Sequence, residues 1–253
     1  MQNGDKSTSF FHSWVKQRRR KKAIVGTLID GDWITDKYQV ADSMVDYFHS
    51  AFTDNVARPA MADLVDCIPN LVTAQDNDNL MVNPTMQEVR DVVFSMDKHS
   101  MAGSDGFNRV FYQSFWDIVG VEVFNAVRYF MEGATLPRGL TSTVLTLLAK
   151  CDGPKTWKQF RPISLCIFAN KVITKLINNR LSAILPKIIS EFHTGFVRGW
   201  LIQDNILLAH ELVHHLDKGK DGGNVMLKLD MTKAFDMLSW EFLCLILEKF
   251  RFA

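Results

Sequence analysis

Apolar residues at 40, 44, 47, 48 and 52 recur at helical spacing along 36–52, and Asp36 stands where an N-cap belongs. Just upstream, AIVGTLIDGDWITD (23–36) alternates apolar with polar and carries Asp30-Gly31 at its middle. That pattern predicts a β-hairpin. Residues 4–22 read as a helix ending in a basic run. Residues 53–83 are rich in Asp, Asn and Pro and read as a loose connector. Asn83-Pro84-Thr85, with Glu88 three residues after Thr85, predicts a helix opened by a capping box and running to about Met96. AGSDGF (102–107) is a turn, and two further helices fill 107–132. The aromatics at 111, 112, 115, 116, 124 and 129 fall at helical spacing and are expected in a core.

From residue 143 the texture changes. STVLTLLAK is a β-rich run, CDGPKTWKQF a loop and RPISL a second extended run. FANKVITKLINNRLSAIL (168–185) and LIQDNILLAHELVHHL (201–216) are amphipathic helices. The second has apolar positions 202, 206, 209, 213 and 216 and is expected to pack on a core. DKGKDGGN is a turn, VMLKLD (225–230) a strand, and SWEFLCLILEKF a final helix. Strands mixed with helices, without internal repeats or low-complexity tracts, predict an α+β or α/β fold.

The composition of the 253 residues excludes little: 47% hydrophobic, 11% aromatic and 23% charged is ordinary for a globular chain with a sizeable core. No window approaches the apolar length of a transmembrane helix. Cys67, Cys151, Cys166 and Cys244 form no CxxC pair and no metal-like spacing. With no signal peptide they read as reduced thiols of an intracellular protein. Net charge is only +1, but its distribution is uneven: +6 over residues 1–28, −10 over 30–105 and +7 over 143–200. Two basic segments flanking an acidic one suit a polyanionic partner, and equally describe solvated faces.

Four stretches bear on chemistry. In LKLDMTKAFD (227–236), Asp230 ends an apolar alternating run, a position from which a carboxylate can hold a hard cation. Asp230 and Asp236 could instead cap the turn and the helix that follow. HELVH (210–214) satisfies the H-E-x-x-H zinc pattern, with His210 and His214 on one helical face and Glu211 as base. The third ligand that zinc needs has no candidate in the expected extension, leaving only the distant Glu241. Arg18, Arg19, Arg20, Lys21 and Lys22 form a run that binds nucleic acid, acts as a nuclear address, or is only a solvated helix end. GKDGG (219–223) lacks the Lys-Ser/Thr ending of a phosphate loop, and Asp30 and Asp32 are turn residues.

Six segments occur in one order: TLLAK (146–150), QFRPISL (159–165), NKVITKLINNRL (170–181), EFHTGFVRG (191–199), IQDNILLAHEL (202–212) and LKLDMTKAFD (227–236). Together they resemble the reverse transcriptase of plant non-LTR (LINE-type) retrotransposons. GDKSTSFFH (4–12) is similar to the segment that precedes the polymerase in such polyproteins. Residues 88–116 are similar to the helical approach to the fingers. The resemblance implies an α+β fold, a partial right-hand polymerase with fingers and the start of the palm behind a mostly helical N-terminal region. It divides the chain into 1–82, 83–140 and 141–253.

The resemblance also implies site residues. Asp230 matches the first catalytic aspartate and a ligand of Mg²⁺, and Met231 a backbone carbonyl ligand. Phe235 matches the bulky residue under the sugar that excludes a 2′-hydroxyl. Lys150 and Arg161 match the grip on the incoming triphosphate, where ammonium and guanidinium suit phosphate. Thr194-Gly195-Phe196 and Arg198 match template contacts. Implied partners are an RNA template, a DNA primer and deoxynucleoside triphosphates, with no membrane.

Ala149, Ser104, Trp200 and Met237 depart from the family pattern and soften local grips. The aromatic-x-Asp-Asp strand that completes the two-metal site does not occur within the 253 residues. The expectation is a chain cut through the active site, inactive as a polymerase, with Val225–Asp230 left as an exposed edge prone to aggregate. A non-catalytic nucleic-acid-binding remnant and an inert pseudogene product are the alternatives.

Overall fold

The computed structural model describes residues 12–17, 23–53, 65–97, 100–190, 192, 193, 195, 197, 199, 201–214, 216, 224–229 and 238–253. They fall into two compact units, one drawn from 1–54 with 145–164, the other from 55–144 with 165–253. No helix is long and apolar enough to cross a membrane, and no disulfide occurs, among the described residues.

In the first unit β1 (Thr27–Ile29) and β2 (Asp32–Ile34) form the antiparallel hairpin, with Thr27 opposite Ile34 and Ile29 opposite Asp32. The turn needs two consecutive left-handed residues. Asp30 at φ 51° and Gly31 at φ 96° supply them, because Asp tolerates that region and Gly is indifferent to it. Helix α1 (Lys37–Thr53) follows at once. Asp36 Oδ1 accepts from the amides of Tyr38 and Gln39 at 3.2 and 3.0 Å, the N-cap anticipated from the sequence. Strands β3 (Thr143–Ala149) and β4 (Phe160–Cys166) pair in a second two-stranded sheet. A 3₁₀ turn at Trp157–Gln159 interrupts their connection.

The second unit holds the larger core. Helix α2 covers Ala74–Met81, α3 Met86–Ser95, α4 Arg109–Ser114, α5 Trp116–Met131, α6 Arg138–Thr141, α7 Phe168–Leu181, α8 Leu185–Ile188, α9 Ile202–His214 and α10 Trp240–Lys249. Val89, Val92 and Val93 of α3, Trp116, Val123 and Val127 of α5, and Phe168, Val172, Ile173 and Leu176 of α7 form one buried cluster. Their spacings of three, four and seven put each set on one helical face. Fully burying each such side chain contributes roughly 1.5–3 kcal/mol, so three short helices can hold together without a sheet. The 100–106 turn lies on the β4–α7 junction. A Cβ on Gly103 would stand 2.6 Å from both the Cys166 carbonyl oxygen and the Ile167 Cα, so only glycine fits. Lys171 of α7 secures the same turn by donating to Ser100 Oγ and the Met101 carbonyl.

Several expectations are corrected. The connector contains helix α2, capped by Thr73: Thr73 Oγ1 accepts from the Asp76 amide at 3.2 Å, and Asp76 Oδ2 accepts from the Thr73 amide at 3.0 Å. At Thr85 the capping box is one-sided. Thr85 Oγ1 accepts from the Glu88 amide, but the Glu88 carboxylate turns away to Arg180. The helix expected to reach 185 ends at Leu181. Pro186 has no N–H and its ring excludes the carbonyl four residues back, so the chain breaks at 182–184 and Pro186 sits in the first turn of α8. Of the six aromatics expected in the core, Trp116 is buried and Tyr112 and Phe124 pack against it, while Phe115 and Tyr129 are exposed.

Two further departures concern the C-terminal third. Residues 224–229 form no strand, since a strand needs a hydrogen-bonded neighbour and the described residues offer none. The run is open: Val225, Leu227 and Leu229 are 84, 82 and 90% exposed. Helix α9 forms but buries no face, and Ile206, Leu207, Leu212 and Val213 are each at least half exposed. Helix α10 is capped by Ser239, whose Oγ accepts from the Phe242 amide at 3.3 Å. Its far end is tied back to α2: Val72 N donates to the Phe250 carbonyl at 3.0 Å, and Asn77 Nδ2 to the Arg251 carbonyl at 2.7 Å.

Asp76 gives this unit an acid-sensitive joint. Lys187 Nζ donates to its Oδ1 at 2.6 Å and Thr73 Oγ1 to its Oδ2 at 2.7 Å. The Lys187 contact first, then the Thr73 amide and hydroxyl, lower its pKa from 3.8 to about 2. A depressed carboxylate stabilises the fold above its unfolded pKa, near pH 4, and that share is lost as pH falls toward about 2. Asp76→Asn is therefore expected to lower the urea midpoint at pH 6, with the gap to the wild-type chain closing between about pH 4 and 2. A gap of constant size across that range would show that the carboxylate is not the source.

Candidate functional site

The expected site residues divide sharply. Lys150 and Arg161 are described and occupy the two ends of one connection, at the tips of β3 and β4. Asp230, Met231, Phe235, Arg198 and Arg18, Arg19, Arg20, Lys21 and Lys22 lie outside the described residues, as do Thr194, Phe196 and Asp236.

The connection 150–161 is held by its own backbone. Lys150 N donates to the Gln159 carbonyl at 2.8 Å and extends the β3–β4 pairing by one rung. Gln159 Oε1 accepts from the amides of Lys155 and Thr156 at 2.6 and 3.1 Å, closing a capping box on the 3₁₀ turn. Gly153 at φ 62° lets the chain reverse. Trp157 and Phe160 point inward, 6 and 5% exposed, their rings 5.7 Å apart. Alternation along β4 then turns Arg161 outward.

What remains outside is basic. Lys150, Lys155, Lys158 and Arg161 are all exposed, against the single acid Asp152, for a net +3 over twelve residues. Lys150 Nζ donates to the Lys158 carbonyl at 2.9 Å, which orients the ammonium and leaves further N–H groups to offer. The Arg161 side chain makes no ion pair or hydrogen bond with the described residues, so its five donors are available. An exposed arginine fork beside a lysine on a pinned loop is a group that can take two phosphate oxygens at once.

Residues 153–253 match the family described as reverse transcriptase (RNA-dependent DNA polymerase). Over 250 residues, 98% of the chain, the sequence is 27% identical to the protein named transposon TX1 uncharacterized 149 kDa protein of Xenopus laevis. The chain spans about a fifth of that relative's length, 19%. The matched segment begins within the basic connection and contains Arg161, Arg198, Asp230 and Phe235, while Lys150 lies three residues before it. Similarity to a transposon protein along nearly the whole chain, and to the reverse transcriptase family over its last hundred residues, agrees with the reverse transcriptase resemblance carried by the six ordered segments.

The competing zinc pattern is placed on α9. His210, Glu211 and His214 are all exposed there, and no group of three or more His, Cys, Asp or Glu gathers at ligand range among the described residues. Thr27 and Ser43, which hold the basic connection, escaped the sequence reading. Their partners are more than a hundred residues away, and no local pattern announces such a contact.

Proposed function

We propose that this chain is part of the RNA-directed DNA polymerase of a non-LTR, LINE-type retrotransposon, and that its β3–β4 connection is the fingers element that grips the incoming deoxynucleoside triphosphate. The observation that carries the reading is the exposed, pinned basic connection standing at the entry to the matched segment. In this reading 1–82 form the linker region, 83–140 the helical approach to the fingers, and 141–253 the fingers and the first palm strand, 225–230. Asp230, with the Met231 carbonyl, would hold Mg²⁺, which would activate the primer hydroxyl and neutralise the phosphates. Phe235 sits against the sugar. Arg198 and the Arg18–Lys22 run contact an RNA template paired to a DNA primer.

The chemistry in the intact enzyme is attack of the primer 3′-hydroxyl on the α-phosphorus, with pyrophosphate leaving. The chain's own share is electrostatic: Lys150 and Arg161 neutralise the β- and γ-phosphates and hold them while the sugar is judged. The 253 residues contain one carboxylate of the metal-binding set, so the polypeptide by itself is inactive in this reading.

Binding tests the reading directly. Lys150→Ala with Arg161→Ala is expected to weaken dTTP affinity at least about tenfold, since each charge-assisted contact is worth about 1.5–3 kcal/mol. Equal affinity in the double variant would overturn the assignment. On an RNA template with a DNA primer, Mg²⁺ and dTTP, no extension is expected. Template-dependent incorporation that disappears with Asp230→Ala would overturn the inactivity. Salt-dependent retention of the RNA without dTTP binding would favour the remnant that binds nucleic acid only.

A further inference from the structure

The basic connection is built on a ribbon that cannot hold it unaided. A lone two-stranded hairpin is marginal in water, and this one exposes Leu145, Leu148 and Ile163. Its anchors come from the N-terminal segment of the same unit. The Lys155 carbonyl accepts two bonds, from Leu28 N at 2.8 Å and from Thr27 Oγ1 at 3.1 Å. Thr27 is 1% exposed, and its pairing with Ile34 across the hairpin fixes where that hydroxyl stands. Two residues further on, Trp157 Nε1 donates to Ser43 Oγ at 3.3 Å. Ser43 Oγ in turn donates to the Val40 carbonyl at 3.0 Å, so its hydroxyl serves as both acceptor and donor.

We propose that the β1–β2 hairpin and α1 act as a buttress that presets the basic connection, with Thr27 and Ser43 as positioning residues for the phosphate contacts of Lys150 and Arg161. This rests on the reading of that connection as a triphosphate grip. The physical gain is preorganisation. A connection free to sample other backbone states must be ordered when the ligand arrives, and each residue frozen at that moment costs up to about tenfold in affinity. Pinning Lys155 and Trp157 in advance moves that cost from binding to folding. Lys150 and Arg161 flank the pinned residues on either side, and the Lys150 ammonium is itself bound to the carbonyl of Lys158, next to Trp157. Neither Thr27 nor Ser43 touches the ligand in this account.

The test compares Thr27→Val/Ser43→Ala, which removes both hydroxyls at nearly constant volume, with Thr27→Ser, which keeps them. Affinity for dTTP is read by calorimetry on the full chain, and amide hydrogen exchange is read across 150–161. The double variant is expected to bind dTTP about fivefold more weakly, the ratio one ordinary hydrogen bond is worth, with faster exchange at Lys155–Gln159. Thr27→Ser is expected to match the wild-type chain in both. Wild-type dTTP binding with loop exchange unchanged in the double variant overturns the proposal alone. An equal affinity loss in Thr27→Ser overturns it too, because the hydroxyl would not be the cause. Failure of the wild-type chain to bind dTTP overturns the triphosphate reading and the proposal with it.

Discussion

Arg180→Ala is expected to lower the unfolding free energy by about 3 kcal/mol, the lower end for removing one partner of a buried ion pair. The guanidinium is 11% exposed and uses four bonds. Nε and Nη2 grip Glu88 at 2.9 and 2.8 Å as a fork, and Nη1 donates to the carbonyls of Leu80 and Val82 at 2.8 and 2.6 Å. One side chain on α7 thus joins the start of α3 to the end of α2. Truncation strands a carboxylate that is 35% exposed, which keeps the loss near the lower figure, and leaves two carbonyls to find water. Arg180→Lys keeps the charge and loses the fork, and about half the loss should remain. Urea midpoints followed by tryptophan fluorescence would measure both. A loss below about 1 kcal/mol in the alanine variant would mean that the pair behaves as a surface salt bridge.

Leu176→Ala is expected to cost about 3 kcal/mol, within the range for a leucine deleted from a close-packed core. Leu176 is fully buried, in the same cluster as Val89 and Val93 of α3 and Val127 of α5, all at 0% exposure. β-branched neighbours at those positions have one favoured rotamer and cannot swing into the hole. Leu176→Met conserves volume and should cost under about 1.5 kcal/mol. If the alanine and methionine variants unfold at the same urea concentration, the three-helix cluster is looser than its burial implies.

Both residues fall in NKVITKLINNRL, one of the six segments that carry the family resemblance. The structure gives Leu176 and Arg180 architectural work within the second unit. Their variants should bind dTTP normally per folded molecule while reducing the folded fraction. Lys150 and Arg161 variants should do the reverse. That contrast separates a damaged scaffold from a damaged site.

What could be read ahead from the sequence was the local. Asp30-Gly31 specified its own turn, and Asp36 and Thr85 each marked a helix start by a side chain bonding within three residues. Helix α2 was missed because AQDNDNLM has no apolar stripe, although Thr73 with Asp76 three residues on is a capping box in plain view. Glu88 was assigned to its own helix end because Arg180 lies ninety-two residues away. Residues 225–229 and α9 have the patterns of a strand and a packed helix. Pattern states only which face wants covering, and the described residues do not cover either. Of the site, Lys150 and Arg161 came from the family resemblance, which assigns both to the triphosphate, and no local pattern shows what pins the connection between them.

The bond between Thr27 and Lys155 spans 128 residues. On the ribosome, at roughly 5–20 residues per second, Thr27 is made about 6–25 s before Lys155. The second unit's helices α2 to α5 are translated in that interval and can begin to pack on local contacts, whereas the first unit must wait for residues 145–164 to return. High contact order makes its closure the slow step of folding. During the delay Thr27, Ser43 and the apolar side of α1 stand without their partners. This interval is where a chaperone or a premature stop decides whether the basic connection is ever built.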